Sequence, residues 1–189
     1  MSKIEKVRKL VRNKFEESDW KYHMLPVVNY TKKLAKIYHA DEELTELAAL
    51  LYDIGRVNIK HDEEHHIVGI PMAEEILKKF KYSEDIIKEI KHVVASHRTS
   101  KGPKPKTMIA KIIANADAMA HFDILPLFFW WRKSRKGYTF EETLNWVNNK
   151  IINDWKIKIT LPEAKKISEK NYKANRLLLD SLNKYAKEE

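Results

Sequence analysis

The sequence predicts an all-α protein, and three observations support this fold class. Only four of its 189 residues are glycine and six are proline, too few for the tight turns of a many-stranded sheet. Lys, Glu, Leu, Ile and Ala, several of them strong helix formers, dominate the rest. Apolar residues recur three and four positions apart along almost the whole chain, as the buried face of a helix requires. We therefore expect a single domain of about eight helices.

Each predicted helix is marked by the apolar residues of its buried face. In order, the first seven run through Ile4 to Phe15, Val27 to Ile37, Leu44 to Ile54, Ile70 to Phe80, Ile86 to Val94, Met108 to His121 and Leu125 to Trp131. Asp41 and Ser83 precede the third and fifth helices and are candidate N-caps. The third helix is expected to stop at Gly55, because glycine disfavours the helical interior.

The remaining boundaries come from loops and capping motifs. A charged loop is expected between Gly55 and Glu64, and one Gly and two Pro break the helical pattern between Thr99 and Lys106. Two sequences of capping-box type, at Thr139 and Thr160, predict the starts of the last two helices. The sequence contains no repeat or low-complexity linker that would suggest a second domain.

Composition excludes several kinds of site. The chain has no cysteine, which excludes disulfides, thiolate zinc sites and cysteine nucleophiles. A metal ion would have to be bound by His, Asp or Glu. No apolar run reaches the length of a membrane span, and the N-terminal segment lacks the apolar core of a signal peptide. We therefore expect a cytoplasmic protein with no membrane association.

The charge is strongly basic, with 36 Lys and Arg against 27 Asp and Glu and a formal net charge of +9. Lysines alternate with glutamates along most helices, which is typical of a solvated surface. Attraction to phosphate-bearing ligands is the other interpretation. This second interpretation is favoured by two local excesses of basic residues, Lys101 to Lys106 and Arg132 to Lys136.

Several polar side chains fall on helix faces that the apolar pattern buries. They are His23, Asp53, His97 and Asp117. Asp53 ends the apolar stretch LAALLYDIG, where an ionised carboxylate is costly unless a cation or several donors meet it. His65 and His66 both head a helix, and periodicity does not choose between them. One buried histidine is commonly a hydrogen-bonded core residue, but a single shared divalent ion would satisfy all these groups together. Imidazole and carboxylate ligands suit Fe, Mn, Ni, Co or Zn.

Five short motifs follow one another in a recognisable order. They are His23, Tyr52-Asp53-Ile54-Gly55-Arg56, His65-His66 before Gly69, Ala95-Ser96-His97-Arg98 and Asn115-Ala116-Asp117. This order resembles the HD-domain superfamily of metal-dependent phosphohydrolases. The resemblance covers about residues 19–122. It continues more weakly over 123–189, which resembles the C-terminal helical extension of small stand-alone HD hydrolases.

The resemblance implies a metal centre with up to two ions. In the family, the first His, the His-Asp doublet and the last Asp hold one ion, and the doublet Asp with intermediate His residues holds a second. Carried over to this chain, the first set is His23, Asp53 and Asp117, and the second set is Asp53, His65 and His97. His65 is preferred over His66 because the family ligand often precedes the helix glycine by four residues, as His65 precedes Gly69.

One position departs from the family pattern. Tyr52 stands where the family has the His of its doublet, and a phenol of pKa about 10 is a poor ligand for most divalent ions. Ala48 and Ala49, one turn earlier, leave room for the ring to fill the space of an imidazole and its metal. We expect the first ion site to be weakened and any ion to depend on the second set. Activity should then be slow and selective for transition metals over magnesium.

The implied reaction is hydrolysis of a phosphomonoester or phosphodiester, with a nucleotide as the expected substrate class. The metal would polarise a phosphoryl oxygen and lower the pKa of a water, with Asp53 at the reacting centre. Arg56 and Arg98, with Lys101 and Lys104 in the following loop, are candidates to neutralise phosphate charge. For all four cations, a solvated surface position is an equally good interpretation.

Two alternatives remain open at this stage. A catalytically degenerate HD protein would bind a nucleotide or a partner without turnover, and Tyr52 favours this hypothesis. A basic nucleic-acid-binding protein would use its cations for phosphate contact and Trp130, Trp131 and Trp146 for stacking. Those tryptophans are also explained as core residues or as contacts of a homodimer.

Overall fold

The computed structural model describes residues 1–57, 64–98 and 102–185. Over these ranges the chain is helical without strands, which confirms the all-α fold class. The helices are α1 (Lys3–Arg12), α2 (Glu17–Asp19), α3 (Leu25–Ile37), α4 (Glu42–Leu51), α5 (His65–Lys79), α6 (Glu84–Ser96), α7 (Met108–Asp123), α8 (Leu125–Lys136), α9 (Phe140–Asn153) and α10 (Pro162–Tyr185). Within the described ranges, no single helix has both the length and the apolarity to cross a membrane, although α7 and α8 meet that test as a bent pair.

Non-α helical segments interrupt this order at several points of the described chain. A π-helix, Trp20–Met24, joins α2 to α3, and a second π-helix, Asp154–Lys158, follows α9 directly. A 3-10 helix, Ile54–Val57, follows the turn after α4. The third predicted helix therefore ends at Leu51 and not at Gly55, because the chain tightens into the 3-10 turn that contains the glycine.

The chain divides into two compact units, Met1–Asp117 and Ala118–Glu189, and each is described by itself. The single domain expected from the sequence stays a prediction. In the first unit α5 packs on α6 and on the 3-10 helix, α3 packs on α4, and α1 and α6 also contact α4. The core of this unit includes Val7, Val11, Leu34, Leu47, Leu50, Leu77, Ile90, Val93 and Ile112.

The second unit is built on helices α8, α9 and α10. α9 contacts both α8 and α10, and Phe128, Leu144, Val147, Ile151, Ala164 and Leu179 are buried. Gly137 follows the last residue of α8, and its φ of 71° is the left-handed conformation that glycine adopts without strain at a helix C-terminus.

Helix starts agree with most of the predicted caps. The Asp41 side chain accepts the Leu44 N–H at 2.9 Å, and both hydrogen bonds of the Thr139 capping box are present. The prediction at Thr160 is one residue early, because α10 begins at Pro162 and the Lys165 N–H donates to the Leu161 carbonyl at 3.1 Å. Proline suits the first helical position, where its missing N–H leaves no bond unmade.

A close glycine contact brings the 3-10 helix against α5. A Cβ on Gly55 would lie 2.1 Å from the His65 carbonyl oxygen and 2.9 Å from the Gly69 nitrogen. Only a residue without a side chain permits this approach of two backbones. The contact sets the distance between the turn at Asp53 and the first residue of α5.

Candidate metal centre

Six polar side chains of the first unit meet in its interior. His23 belongs to the π-helix, Tyr52 and Asp53 form the turn after α4, His65 begins α5, His97 follows α6, and Asp117 lies in α7. All six are buried, and the most exposed of them, His23, has 8% of its surface accessible. The five ligand residues expected from the sequence therefore come together, and Tyr52 lies among them.

Asp53 is central in this cluster because its two oxygens face different neighbours. Oδ1 is 3.3 Å from His65 Nε2 and 3.6 Å from His97 Nε2. Oδ2 is 2.7 Å from Arg56 Nε and 3.7 Å from His23 Nε2. No hydrogen bond from the described residues reaches Oδ1, although this oxygen is buried. A buried anionic oxygen that faces two imidazoles is a strong candidate to bind a cation.

The imidazole of His97 is oriented by the backbone. Its Nδ1 is 2.8 Å from the Val94 carbonyl oxygen, which can only accept a hydrogen bond, so the proton of the neutral ring is assigned to Nδ1. Nε2 then carries the lone pair and points at His65 Nε2, 3.0 Å away. A ring held in this way by its other nitrogen is typical of a histidine that binds a metal.

Tyr52 occupies the other side of the cluster. Its hydroxyl is 2.8 Å from His23 Nε2 and donates to Asp117 Oδ1 at 3.2 Å. His23 Nε2 itself is 3.4 Å from the same Asp117 oxygen. The phenol therefore sits between the two side chains that the family pattern assigns to the first ion.

The charges of the cluster are set by burial and by these contacts. Burial opposes protonation of His23, but hydrogen bonds from its ring to Asp117 and Asp53 outweigh burial and raise its pKa. Burial also acts to raise the pKa of Asp53, but the Arg56 guanidinium and His65 hold that pKa well below its ordinary value. For Tyr52, burial and the two carboxylates raise the pKa well above its ordinary value, so the phenol is neutral.

The other sequence candidates lie around this cluster. The side chain of Arg56 is 42% exposed and pairs with Asp53, and Arg98 is partly buried next to His97 in the chain. Lys104 is exposed, and Lys101 lies outside the described residues. His66 is buried and meets the His65 ring edge-on at 6.0 Å between centroids.

The donor atoms on one side of the cluster fit a divalent ion. Asp53, His65 and His97 each offer one ligand atom, and these atoms lie within 4.8 Å of one another. Ligand atoms about 2.0–2.2 Å from a shared ion have separations in this range. With two nitrogens and one oxygen, the donor set suits Mn, Fe, Co, Ni or Zn better than Mg, which prefers oxygen.

Sequence reasoning missed a second buried ionic cluster, which lies in the second unit. Asp154 Oδ2 is 2.8 Å from His121 Nδ1 and 3.0 Å from Lys150 Nζ. Burial acts to raise the pKa of Asp154, but Lys150 and His121 lower it below the ordinary value. The spacing of Lys150 and Asp154, four residues apart on one helical face, was the available signal.

Comparison with known proteins finds a matching family model and a similar solved structure. The family model described as the HD domain matches residues 20–121, a range that contains all six residues of the cluster. The structure is a crystal structure described as a predicted HD superfamily hydrolase from an uncultured Thermotogales bacterium. It is 19% identical, with a TM-score of 0.63, and the match covers 96% of this chain and 92% of that chain. At this identity the likeness supports the fold alone.

Proposed function

This chain belongs to the HD-domain family, and on that premise we propose that it is a phosphohydrolase that uses one divalent ion held by Asp53, His65 and His97. The resemblance seen in the motifs is confirmed by the family match over residues 20–121. A metal-dependent hydrolase is the function that this family supports, and the similar Thermotogales structure is itself described as a predicted hydrolase. The substrate class and the number of ions belong to our proposal.

The observation that carries the proposal is the environment of Asp53 Oδ1. This oxygen is buried, faces Nε2 of His65 and of His97, and receives no hydrogen bond from the described residues. Leaving such a group unsatisfied costs roughly 1–3 kcal/mol or more. A bound cation removes that cost and gives all three donor atoms a common partner.

The residues around the ion site have separate tasks in this proposal. Arg56 pairs with Oδ2 of Asp53, which keeps the carboxylate ionised and leaves Oδ1 directed at the histidines. The Val94 carbonyl fixes the ring of His97 in the orientation that presents Nε2. When bound, a divalent ion supplies Lewis-acid chemistry for a phosphoryl group and lowers the pKa of a water.

Tyr52 explains why we propose one ion and not two. Its neutral hydroxyl bridges His23 and Asp117, so it takes the place between them without adding a charge. The phenol satisfies these two side chains by hydrogen bonds where the family pattern has a histidine ligand and an ion. The first ion set is therefore weakened, and the second set keeps its donors.

The proposed substrate is a nucleotide or another phosphate ester. Arg56 is close enough to the site to pair with Asp53 and exposed enough, at 42% of its side chain, to meet a ligand. Arg98 follows the ligand His97 directly in the chain. One guanidinium group can donate two parallel hydrogen bonds to two oxygens of the same phosphate. Arginines at these two positions are therefore suited to bind a phosphoryl group.

Elemental analysis of protein purified without chelator, with a hydrolysis panel of nucleotides and phosphomonoesters, tests the proposal. We expect close to one transition-metal ion per chain and slow turnover, both lost in His97→Ala. Tyr52→His should raise the metal content toward two ions and increase turnover. Full activity with magnesium in the wild-type protein would contradict our account of Tyr52.

A second candidate function is specific binding of a nucleotide without hydrolysis. The hydrogen bonds of Tyr52 to His23 and Asp117 favour it, because they occupy one of the two ion sets. Nucleotide binding measured by calorimetry, with no metal and no turnover in either wild type or Tyr52→His, would select this function over the hydrolase.

A further inference from the structure

Helix α10 of the second unit carries a row of exposed apolar side chains. Leu177, Leu178 and Tyr185 are 75%, 50% and 72% exposed, and Ala174 is exposed as well. At 100° per residue, these four side chains lie within about 100° of one another around the helix. Leu179 is fully buried, so α10 packs on its own unit with a different face. We call Ala174, Leu177, Leu178 and Tyr185 the α10 stripe.

The spacing of the α10 stripe is that of a helix that packs against another helix. Its later members follow Ala174 by three, four and eleven residues, and the small residue Ser181 fills the seventh position. Apolar or small residues at this spacing form the seam between paired helices. Single exposed leucines are ordinary on a protein surface, but a row along one helix face indicates an interaction surface.

One flank of the α10 stripe carries acidic and basic residues in a repeating order. Glu169, Lys173, Asp180 and Lys184 lie within about 60° of one another around the helix. Lys173 pairs with Glu169 at 2.7 Å, and Arg176 pairs with Asp180. Both carboxylates are at least half exposed, at 50% for Glu169 and 57% for Asp180. Because a carboxylate has several acceptor sites, each of them can accept a second cation from outside the helix.

We propose that the α10 stripe is a homodimer contact, in which α10 packs antiparallel against α10 of a second copy of the chain. Two-fold symmetry places the same flank of both helices on the same side of the contact. Charge complementarity then fixes the register, because one alignment puts Glu169 opposite Lys184 of the second copy and Lys173 opposite Asp180 of the second copy. A parallel pair would instead place each of these charges opposite its own kind.

The same register also pairs the apolar residues. Leu177 meets Leu177 of the second copy next to the two-fold axis, and Leu178 meets the small side chain of Ala174. Tyr185 meets Ile167, which is half-buried one turn and more before the stripe. Large side chains therefore face small or partly buried ones, as close packing of two helices requires. The charges and the apolar residues select one alignment independently of each other.

An anionic membrane fits the α10 stripe less well than a second copy does. Helices that lie in a membrane interface carry mainly Lys and Arg beside their apolar face. Here the exposed carboxylates of Glu169 and Asp180 lie beside the stripe. Anionic headgroups would repel these carboxylates, whereas a second copy offers a lysine to each of them. This inference is independent of the proposed hydrolase function.

Sedimentation velocity of the full chain, from micromolar to near-millimolar concentration, tests the homodimer. We expect a monomer–dimer equilibrium with a micromolar dissociation constant, because a contact made by one helix face is at the small end of specific interfaces. Leu177→Ser should raise the dissociation constant at least about tenfold, because the leucine is buried twice in the dimer. Ile157→Ser is the matched control, since Ile157 is 58% exposed on the second π-helix, and it should leave the constant unchanged.

Cysteine cross-linking tests the antiparallel direction, and the chain has no cysteine of its own. Leu177→Cys should give a disulfide-linked dimer when oxidised with diamide, because the two copies of this position lie next to the two-fold axis. Tyr185 is equally exposed, but its two copies would be about 25 Å apart in the antiparallel register. Tyr185→Cys should therefore not cross-link, because that distance is far beyond the reach of a disulfide.

Several outcomes would overturn the proposal. They are a chain that stays monomeric at every concentration, equal weakening by Leu177→Ser and Ile157→Ser, and equal cross-linking at positions 177 and 185. Binding of a monomeric chain to phosphatidylserine vesicles would overturn it in favour of a membrane contact. His97→Ala should dimerise like the wild type, so a failure of the hydrolase proposal would remain distinguishable from a failure of this one.

Discussion

At the scale of single residues, the two oxygens of Asp53 divide the candidate centre into two halves. Oδ1 faces His65 and His97, whereas Oδ2 faces Arg56 and His23. In a site with two ions, such a carboxylate would bridge them. In this chain one half contains the Tyr52 phenol, so in our proposal the same carboxylate would bind an ion on one side and join a hydrogen-bonded network on the other.

The adjacent histidines His65 and His66 provide the sharpest test of a single ligand. Only His65 lies against Asp53 Oδ1 and His97 Nε2, whereas His66 contacts the His65 ring from the side. We expect His65→Ala to lose the bound metal and His66→Ala to retain it, measured by elemental analysis of both variants. Metal loss in His66→Ala with retention in His65→Ala would show that the assignment is reversed.

The buried Asp154 is expected to make stability depend on pH. Because its pKa is lowered in the folded state, its contribution is present above the ordinary value of 3.8 and is lost as the pH falls through the folded value. Asp154→Asn should lower the free energy of unfolding by about 3 kcal/mol at neutral pH, by leaving Lys150 without its buried partner. Urea unfolding at several pH values should show this difference shrinking below about pH 4.

The surface residue Asp180 is the matched control for this experiment. It pairs with Arg176 four residues earlier, and 57% of its side chain is exposed. Asp180→Asn should change the free energy of unfolding by less than about 1 kcal/mol, because exposed ion pairs contribute little. A difference for Asp154→Asn that stays constant from neutral to acid pH would contradict the role given to its ionisation.

The sequence predicted which side of each helix faces inward but not what the side chains contact. His23, Asp53, His97 and Asp117 are all buried, as the helical period indicated. The position of the Tyr52 hydroxyl between His23 and Asp117 depends on residues 29 and 65 positions away. No local pattern encodes contacts at such separations.

At the scale of elements, the contact of the 3-10 helix with α5 positions the candidate centre. Gly55→Ala would place a Cβ against the His65 carbonyl and the Gly69 nitrogen, both backbone atoms that cannot rotate away. We expect a loss of at least about 2 kcal/mol in the free energy of unfolding, from overpacking. We also expect loss of bound metal, since relief of the clash moves His65 away from Asp53.

Gly137→Ala is the control for a glycine that has no such contact. Gly137 has a φ of 71°, but a Cβ there meets no atom within 4 Å. Its substitution should cost about 1 kcal/mol through backbone strain and leave the metal content unchanged. Urea unfolding and elemental analysis of both variants check this, and a Gly55→Ala protein with normal stability and metal would refute the positioning argument.

Some boundaries of the secondary-structure elements are predicted by the local sequence, and others are not. The Thr139 capping box was predicted correctly because both partners lie within four residues. The π-helix that carries His23 was not predicted, since it adds one residue to a turn without changing the apolar pattern that marks a helix. The close approach of Gly55 and Gly69 was also beyond a local pattern, because it joins two elements across a loop.

At the scale of the whole molecule, the all-α class followed from composition and period, which are properties of the entire chain. The meeting of five segments at Asp53 was suggested by polar side chains on buried helix faces, and the family pattern specified which residues take part. The division into units 1–117 and 118–189 had no signal in composition, because α7 runs through the boundary without a break. The proposed ion therefore links residues that are distant in sequence but belong to one unit.

Because the ion would bind only the folded arrangement of these segments, metal should stabilise the whole chain against heat. An ion at one hundred times its dissociation constant adds about 2.7 kcal/mol to the free energy of unfolding. For a chain of this length, that gain in free energy corresponds to a rise of about 5–10 °C in the midpoint temperature of thermal unfolding. Thermal unfolding of chelator-treated protein, with and without Mn²⁺ or Mg²⁺, should show this rise in the midpoint with Mn²⁺ and a smaller rise with Mg²⁺.

His97→Ala should abolish the rise in the unfolding midpoint that Mn²⁺ causes. His92→Ala should keep it, because His92 lies elsewhere on α6 and accepts a hydrogen bond from the Lys106 N–H. An equal rise in both variants would mean that the stabilising ion binds outside the cluster around Asp53.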